Sequence, residues 1–284
     1  MNWVTVARHG SPSVDEEVVG HLAEELEDSV RNLDALPAVF GMALNEALLQ
    51  VQVHQALNPR GNLLPTWQAT VSAMQVGTAA FAAATAERPI ESRITDEMRT
   101  IQATGPQFYA NAGNWLTTLW FVIICRDQAR MDTMCQVPLD LLRASGAEGD
   151  EYVYHWVDSL QTYWREEPRL AEKLTATIEM SHPDIATIAP REHLQCILYP
   201  PIHLFYQFMR KDHEGFNQAL AEALELHKAY WSREDHSDDI AGYLALGPLA
   251  MACLAYDAGI PIEVESEYLP IRLLDRSWLG EFDT

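Results

Sequence analysis

"WLTTLWFVIIC", residues 115–125, is the most apolar stretch of this 284-residue chain, and it constrains how everything else is arranged. It is too short to cross a bilayer, and it ends at Arg126 and Asp127. The helical pattern around it extends from Ala112 to Met134. We therefore predict a central buried helix that the other elements must cover.

Helical periodicity also dominates the rest of the chain. Apolar residues recur every three or four positions in the segments 18–33, 38–57, 66–86, 138–144, 150–166, 168–181, 190–210, 213–232 and 238–258. The turns between the later helices are short and favour antiparallel neighbours. The predicted fold class is all-α, with stacked antiparallel helical hairpins in an irregular bundle that resembles a helical repeat.

Two proline sites and three strand-like pieces interrupt this pattern. "YPP" (199–201) and "GP" (247–248) should each kink or split their helix, because proline removes a backbone donor. Three segments show the alternation of apolar and polar residues that is typical of strands: the N-terminus around Trp3 and Thr5, residues 88–95 and residues 260–266. This pattern predicts a small β element built from all three. Residues 1–284 are expected to form a single domain with a soft boundary near 88–112.

The sequence is strongly acidic. Its 41 Asp and Glu residues against 19 Lys and Arg residues give a formal net charge of −22. Residues 1–36 contribute −6 and residues 212–284 contribute −11, so the acids are concentrated at the two ends. A field of this size repels nucleic-acid backbones and anionic lipid and attracts basic partners. We expect neither nucleic acid nor a membrane as partner, although solubility alone would also explain the charge.

The sequence contains no export signal, no metal-binding pattern and no known catalytic motif. The N-terminus lacks the charged and apolar regions of a signal peptide, so a cytoplasmic location is expected. Phosphate-binding glycine loops, HExxH, GxSxG and EF-hand patterns are missing, and we expect no cofactor. The cysteines have no zinc-like spacing and are typical of reduced, mostly buried thiols. They are Cys125, Cys135, Cys196 and Cys253.

The segment "YWSREDHSDDIAGYLALGP", residues 230–248, is the best candidate for chemistry. Carboxylates beside His236 would suit a metal-dependent hydrolase, because they can bind a metal or raise the pKa of the imidazole. Helix capping explains more of the stretch. Ser237 or Asp238 can cap a helix that begins near Asp239 and ends at Gly259. Glu234 and Asp235 are left without a structural role.

The aromatic segment "EYVYHWVDSLQTYW", residues 151–164, also has two interpretations. Its Tyr and Trp side chains recur on a helix, where packing in the core is the simpler role. Tyr and Trp also anchor interfaces, so an exposed subset would form a binding hot spot. The residues are Tyr152, Trp156, Tyr163 and Trp164.

Three tracts together resemble the immunity protein 49 family, the cytosolic antidotes of bacterial polymorphic toxin systems. They are "LWFVIICRDQARMDTMCQVPLDLLRASG" (119–146), "DEYVYHWVDSLQTYW" (150–164) and "YWSREDHSDDIAGYLALGPLAMACLAYDAGIPIEVESEYLPIRLL" (230–274). They cover about half of the chain. The resemblance implies an all-helical fold, a protein that is not an enzyme, and a function of binding and neutralising a cognate toxin. It specifies neither the activity of the toxin nor any contact residue.

Charge suggests where such a partner would bind. A basic toxin domain, such as a nuclease, would be steered toward an acidic surface. A helical-repeat scaffold with some other partner would have the same physical signature, and the partner's identity alone separates the two. The candidate toxin-binding residues are Glu24, Glu25, Glu27, Asp28, Glu234, Asp235, His236, Asp238, Asp239, Glu263, Glu265 and Glu267.

Overall fold

The computed structural model describes residues 3–12, 14, 16–282 and 284, and helices make up most of it. The helices are α1 (Glu16–Asn32), α2 (Phe40–Leu57), α3 (Leu64–Thr85), α4 (Ala112–Cys125), α5 (Gln128–Cys135), α6 (Leu139–Arg143), α7 (Glu151–Trp164), α8 (Leu170–Met180), α9 (Arg191–His193), α10 (Pro200–Met209), α11 (His213–Trp231), α12 (Leu246–Asp257) and α13 (Ile271–Leu274). The strands are β1 (Val4–Val6), β2 (Ile90–Ile94), β3 (Glu97–Ile101) and β4 (Val264–Ser266).

The predicted all-α class is confirmed, and consecutive helices pack on each other as expected. The pairs α2–α3, α7–α8 and α10–α11 are among the most extensive contacts in the fold. The helix α4 lies at the centre, where it contacts α3, α5, α7, α12 and α13. Its side chains Trp115, Leu119 and Phe121 are almost fully buried. The sequence stretch 115–125 is therefore the core helix that its composition predicts.

The prediction of one helix from Ala112 to Met134 is wrong, because the chain turns at Arg126. This residue adopts a left-handed conformation (φ 56°), and the Asp127 side chain caps α5 by accepting from the Arg130 N–H at 2.9 Å. The Arg126 guanidinium donates to the Asp257 carboxylate at 3.1 Å and to the Leu274 carbonyl at 2.7 Å. The break thus ties the end of α4 to α12 and α13.

The small β element is present, but its three predicted pieces do not form one sheet. The N-terminal strand β1 pairs in parallel with β4, with Val4 opposite Val264. The piece at 88–95 contains β2, which pairs instead with β3 in an antiparallel hairpin, with Ile90 opposite Ile101. A hairpin with its neighbour along the chain closes a shorter loop than pairing with either terminus, and it therefore costs less entropy.

Both predicted proline breaks are confirmed. A π-helical turn, Leu194–Leu198, precedes α10, which begins at Pro200. The predicted helix 238–258 is divided into a 3-10 turn, Ile240–Tyr243, and α12. The glycine C-cap of α12 is also as predicted, since Gly259 has φ 83° and the Ile260 N–H donates to the Ala255 carbonyl at 2.9 Å.

One segment of the described chain, Ile240–Asp257, is long and apolar enough to cross a bilayer by length and composition alone. In the fold 61% of this segment is buried, and it is not one continuous helix, because residues 244–245 separate the 3-10 turn from α12. Its apolar side chains pack against α4, α10 and α11, as those of a core helix do.

A close approach between α3 and α4 fixes the position of the central helix. At Gly77, a Cβ atom would lie 2.4 Å from the Thr118 Oγ1 atom and 2.6 Å from its Cγ2 atom. These separations are shorter than van der Waals contact. Gly77 is therefore required by packing, although glycine is a poor helix former.

We expect Gly77→Ala to lower the free energy of unfolding by about 1–3 kcal/mol, because the overpacking outweighs the gain in helix propensity. Adding Thr118→Ala should restore part of the loss. Chemical denaturation of the single and double variants measures both effects.

Gly20→Ala is the matched control, since Gly20 is exposed on α1 and a Cβ there would meet nothing within 4 Å. That variant should be unchanged or more stable by about 0.5–1 kcal/mol. Equal effects of the two glycine substitutions would contradict the close approach of α3 and α4.

Candidate functional site

The acidic segment, residues 232–239, forms the turn between α11 and the 3-10 turn at Ile240–Tyr243. Its backbone is held by the Arg233 carbonyl, which accepts from the His236 N–H at 2.9 Å and the Ser237 N–H at 2.7 Å. The Asp239 side chain caps the 3-10 turn by accepting from the Ala241 N–H at 2.9 Å. The cap is therefore Asp239, not the predicted Ser237 or Asp238.

His236 is held by aromatic rings. Its imidazole stacks on Tyr230 with the ring centroids 4.4 Å apart, and its Nε2 atom lies 3.6 Å from an Asp235 carboxylate oxygen. Asp235 is itself paired with Arg233 at 3.2 Å, and Arg233 also pairs with Glu192. No three His, Cys, Asp or Glu side chains within residues 3–12, 14, 16–282 and 284 are arranged to hold a metal. The geometry gives no support to the hydrolase alternative.

Of the candidate acids in and beside β4, Glu267 acts on Arg8, whereas the backbone of Glu263 is bonded to Asn217 near the start of α11. Glu265 and Glu267 are exposed and Glu263 is half-buried. The Arg8 guanidinium lies over the Tyr243 ring at 4.4 Å, immediately after β1. Burial lowers the pKa of Arg8, and the Glu267 carboxylate opposes this change.

Asp238 acts on Tyr243, the aromatic partner of Arg8. Burial raises the pKa of Tyr243; Arg8 opposes the change and Asp238 reinforces it. Asp238 is therefore close to Tyr243, and Glu267 is close to Arg8, whose guanidinium lies over the Tyr243 ring.

The acids of α1 belong to a different surface. All four are exposed, and α1 packs mainly on α2 and on the turn that precedes α2. Glu25 lies 3.2 Å from His21, and Asp28 lies 2.7 Å from Arg31. Exposed pairs of this kind stabilise a fold by less than about 1 kcal/mol. A contact role for these acids, as for the acids near Arg8, stays a prediction.

A buried polar cluster lies beneath the acidic segment. The His9 backbone N–H donates to the Tyr268 hydroxyl at 2.7 Å, and the His9 Nδ1 atom is also 2.7 Å from that hydroxyl. His227 donates from Nε2 to the Gly242 carbonyl at 2.8 Å. Burial lowers the pKa of His227 to about 4, although the hydrogen bond to Gly242 opposes the shift. His227 is therefore neutral at physiological pH.

A cleft of about 530 Å³ opens beside this cluster. Its walls are the start of α4, residues 147–149 with the start of α7, the π-helical turn, and residues 241–248. The lining is rich in large aromatic side chains that the core holds in place. These are Trp120, Tyr152, Tyr154, Trp156 and Trp231.

The two proline breaks shape one end of the cleft. Pro201 lies so close to Gly247 that a Cβ atom on the glycine would be 2.6 Å from the Pro201 Cγ atom. The same Cβ atom would lie 3.7 Å from the Trp120 Nε1 atom. The helix breaks at "YPP" and "GP" therefore meet in the fold, and both contribute residues to the lining.

The cleft and the acidic segment are adjacent. Trp231 and Ala241 both line the cleft, and the acidic segment is the chain that connects them. In the aromatic segment 151–164, core packing is the role of Tyr152 and Trp156, which are buried. The same two side chains also form part of the cleft wall. The sequence signals for this site were the aromatic segment and the proline breaks.

These features define an all-helical protein with an acidic turn beside an aromatic cleft. A family model described as Immunity protein 49 matches residues 58–273, which is most of the chain. The chain belongs to the immunity protein 49 family. Neither the curated proteins nor the solved structures contain a significant match to it.

Because His227 is buried in its neutral form, we predict that the folded protein becomes less stable at acidic pH. In the unfolded chain the His227 imidazole binds a proton near pH 6.5, whereas in the folded protein it binds one only near pH 4. The contribution of this residue to the free energy of unfolding is therefore complete above pH 6.5 and is lost as the pH falls toward 4. We expect the free energy of unfolding to decrease by about 3 kcal/mol between pH 7 and pH 4 from this residue. Denaturation across this pH range measures the decrease.

His227→Gln is the comparison variant, because glutamine can still donate to the Gly242 carbonyl and does not titrate. Its stability should depend less on pH than that of the wild type. Parallel pH profiles for the two proteins would show that His227 is not the group responsible.

Proposed function

We propose that this protein binds and neutralises a cognate toxin of a bacterial polymorphic toxin system in the cytoplasm of the cell that makes it. The family assignment over residues 58–273 carries this proposal. Immunity protein families are typically non-enzymatic, and a binding function requires no cofactor. The partner is a protein, not a nucleic acid or a membrane.

Charge supports a basic partner, such as a nuclease that must itself bind a polyanion. The net charge of −22 attracts a basic domain over a distance comparable to the Debye length, about 8 Å at physiological salt. Asp238 of the acidic segment and Glu267 after β4 contribute part of that charge next to Tyr243 and Arg8. A steered encounter is faster than an unsteered one by a factor of about 10–1,000. Rapid capture suits an antidote, because one escaping toxin molecule harms the producer.

Charge reversal on this surface tests the proposal. The triple variant Glu234→Lys, Asp238→Lys and Glu267→Lys changes exposed side chains and brings the formal charge from −22 to −16. We expect a rate of association with the toxin domain encoded beside this gene that is lower by about tenfold or more at low ionic strength. The difference should shrink as salt increases. Survival of cells that produce the toxin should fall in parallel.

Two further triple variants with the same net charge serve as controls. One reverses Glu24, Glu25 and Glu27 on α1, which decides whether that helix contributes. The other reverses exposed acids outside the candidate set, namely Glu87, Asp96 and Glu179. If all three triple variants slow association equally, net charge alone is responsible. A wild type that neither binds the toxin nor protects cells would refute the function itself.

A further inference from the structure

The aromatic cleft has the shape and lining of a receptor for one large side chain. Pockets that bind interface anchors are apolar, well packed and surrounded by polar residues. The opening of the cleft is lined by half-buried side chains, namely Leu116 and Thr117 of α4 and Leu246 of α12. Two buried side chains, Trp156 and Trp231, lie behind them. These residues belong to α4, α7, α11 and α12, and both α7 and α12 pack on α4.

The charges around the cleft favour a basic partner. Among the described residues that line it, Glu148 is the carboxylate, and none is Lys or Arg. The adjacent Arg143 lies over the Tyr154 ring and is paired with Glu151. His227 is neutral because of its lowered pKa. The N-termini of α4 and α12 also reach the cleft and would favour an anion, so an acidic ligand is the comparison that a test must include.

The acidic segment forms one rim of the cleft. It leaves the cleft wall at Trp231 and rejoins it at Ala241, and its carboxylates at 234, 235, 238 and 239 are exposed. Glu148 is exposed where the loop before α7 lines the cleft. An apolar floor with carboxylates on the rim complements an aromatic or long aliphatic side chain flanked by Lys or Arg.

We propose that the cleft receives an aromatic or long aliphatic anchor of the toxin, carried on a basic segment whose cations lie against Glu148 and the acidic segment. The identity of this occupant rests on the proposed function. The acids bring the partner in, and the buried anchor then determines how long it stays.

Filling the cleft tests this assignment. Thr117→Phe places a ring into the opening from α4, and Ala147→Phe does so from the loop before α7, where a larger side chain does not disturb a helix. Thr175→Phe is the matched control. Thr175 is exposed on α8, lies outside the cleft lining, and donates to its i−4 carbonyl as Thr117 does.

Labelled peptides serve as probes that do not require the toxin. In fluorescence anisotropy at physiological ionic strength, the peptide RRWRR should bind the wild type and Thr175→Phe equally. It should bind Thr117→Phe and Ala147→Phe at least about tenfold more weakly. On the wild type, RRARR should bind at least about tenfold more weakly than RRWRR, and EEWEE should not saturate. Unaltered binding of RRWRR to both cleft variants, equal binding of RRARR, tighter binding of EEWEE, or no binding of RRWRR to the wild type would each overturn the proposal.

Survival of toxin-producing cells separates the cleft from the function. Thr117→Phe and Ala147→Phe should protect less well than Thr175→Phe. If these two variants no longer bind the peptide RRWRR but still protect the cells fully, the toxin does not bind in the cleft and the proposed function stands. If the wild type does not protect, the proposed function fails, while the peptides still measure the chemistry of the cleft. A concentration-dependent wild-type dimer that Thr117→Phe abolishes would assign the cleft to a second copy of this chain.

Discussion

Burial of the second half of α4, residues 118–125, is the constraint on which the rest of the structure depends. Its side chains are too apolar to face water, so α3, α7, α12 and α13 must all reach it. Gly77 lets α3 come close, and Arg126 ties the end of α4 to α12 and α13. This arrangement places the start of α12 and the π-helical turn beside the first turns of α4, where Thr117 and Trp120 line the cleft. The helix that organises the core therefore also provides part of the candidate site.

Local features of the fold could be predicted from the sequence, whereas features that depend on distant residues could not. Periodicity locates the helices, and proline chemistry locates the breaks at 199–201 and 247–248. The left-handed turn at Arg126 contains no glycine or proline, and contacts with Asp257 and Leu274 hold it. The partner of β2 was likewise missed. An alternating pattern indicates that a segment forms a strand, but it does not indicate which other strand it pairs with.

Some features of the candidate site could likewise be predicted from the sequence, and others could not. Acid-rich segments can be recognised in the sequence, and the carboxylates at 24, 25, 27 and 28 of α1 and at 234 and 235 are exposed as expected. Periodicity does not show that the acidic segment borders a cleft, because the cleft exists only where Pro201 packs on Gly247 and Trp231 lies beside Ala241. The proposal gives the two parts different physical roles. In it, charge at the rim increases the rate of encounter, and an apolar anchor in the cleft slows dissociation.

Amide hydrogen exchange of the full chain, with and without the toxin domain against which it protects cells, tests the central claim most directly. A toxin that binds the acidic segment and the adjacent cleft should slow exchange in residues 146–149 and 232–241. These residues form a loop and a turn that are exposed or half-buried, where protection by a partner is easily measured. Unchanged exchange in both segments, together with protection elsewhere on the surface, would contradict the claim.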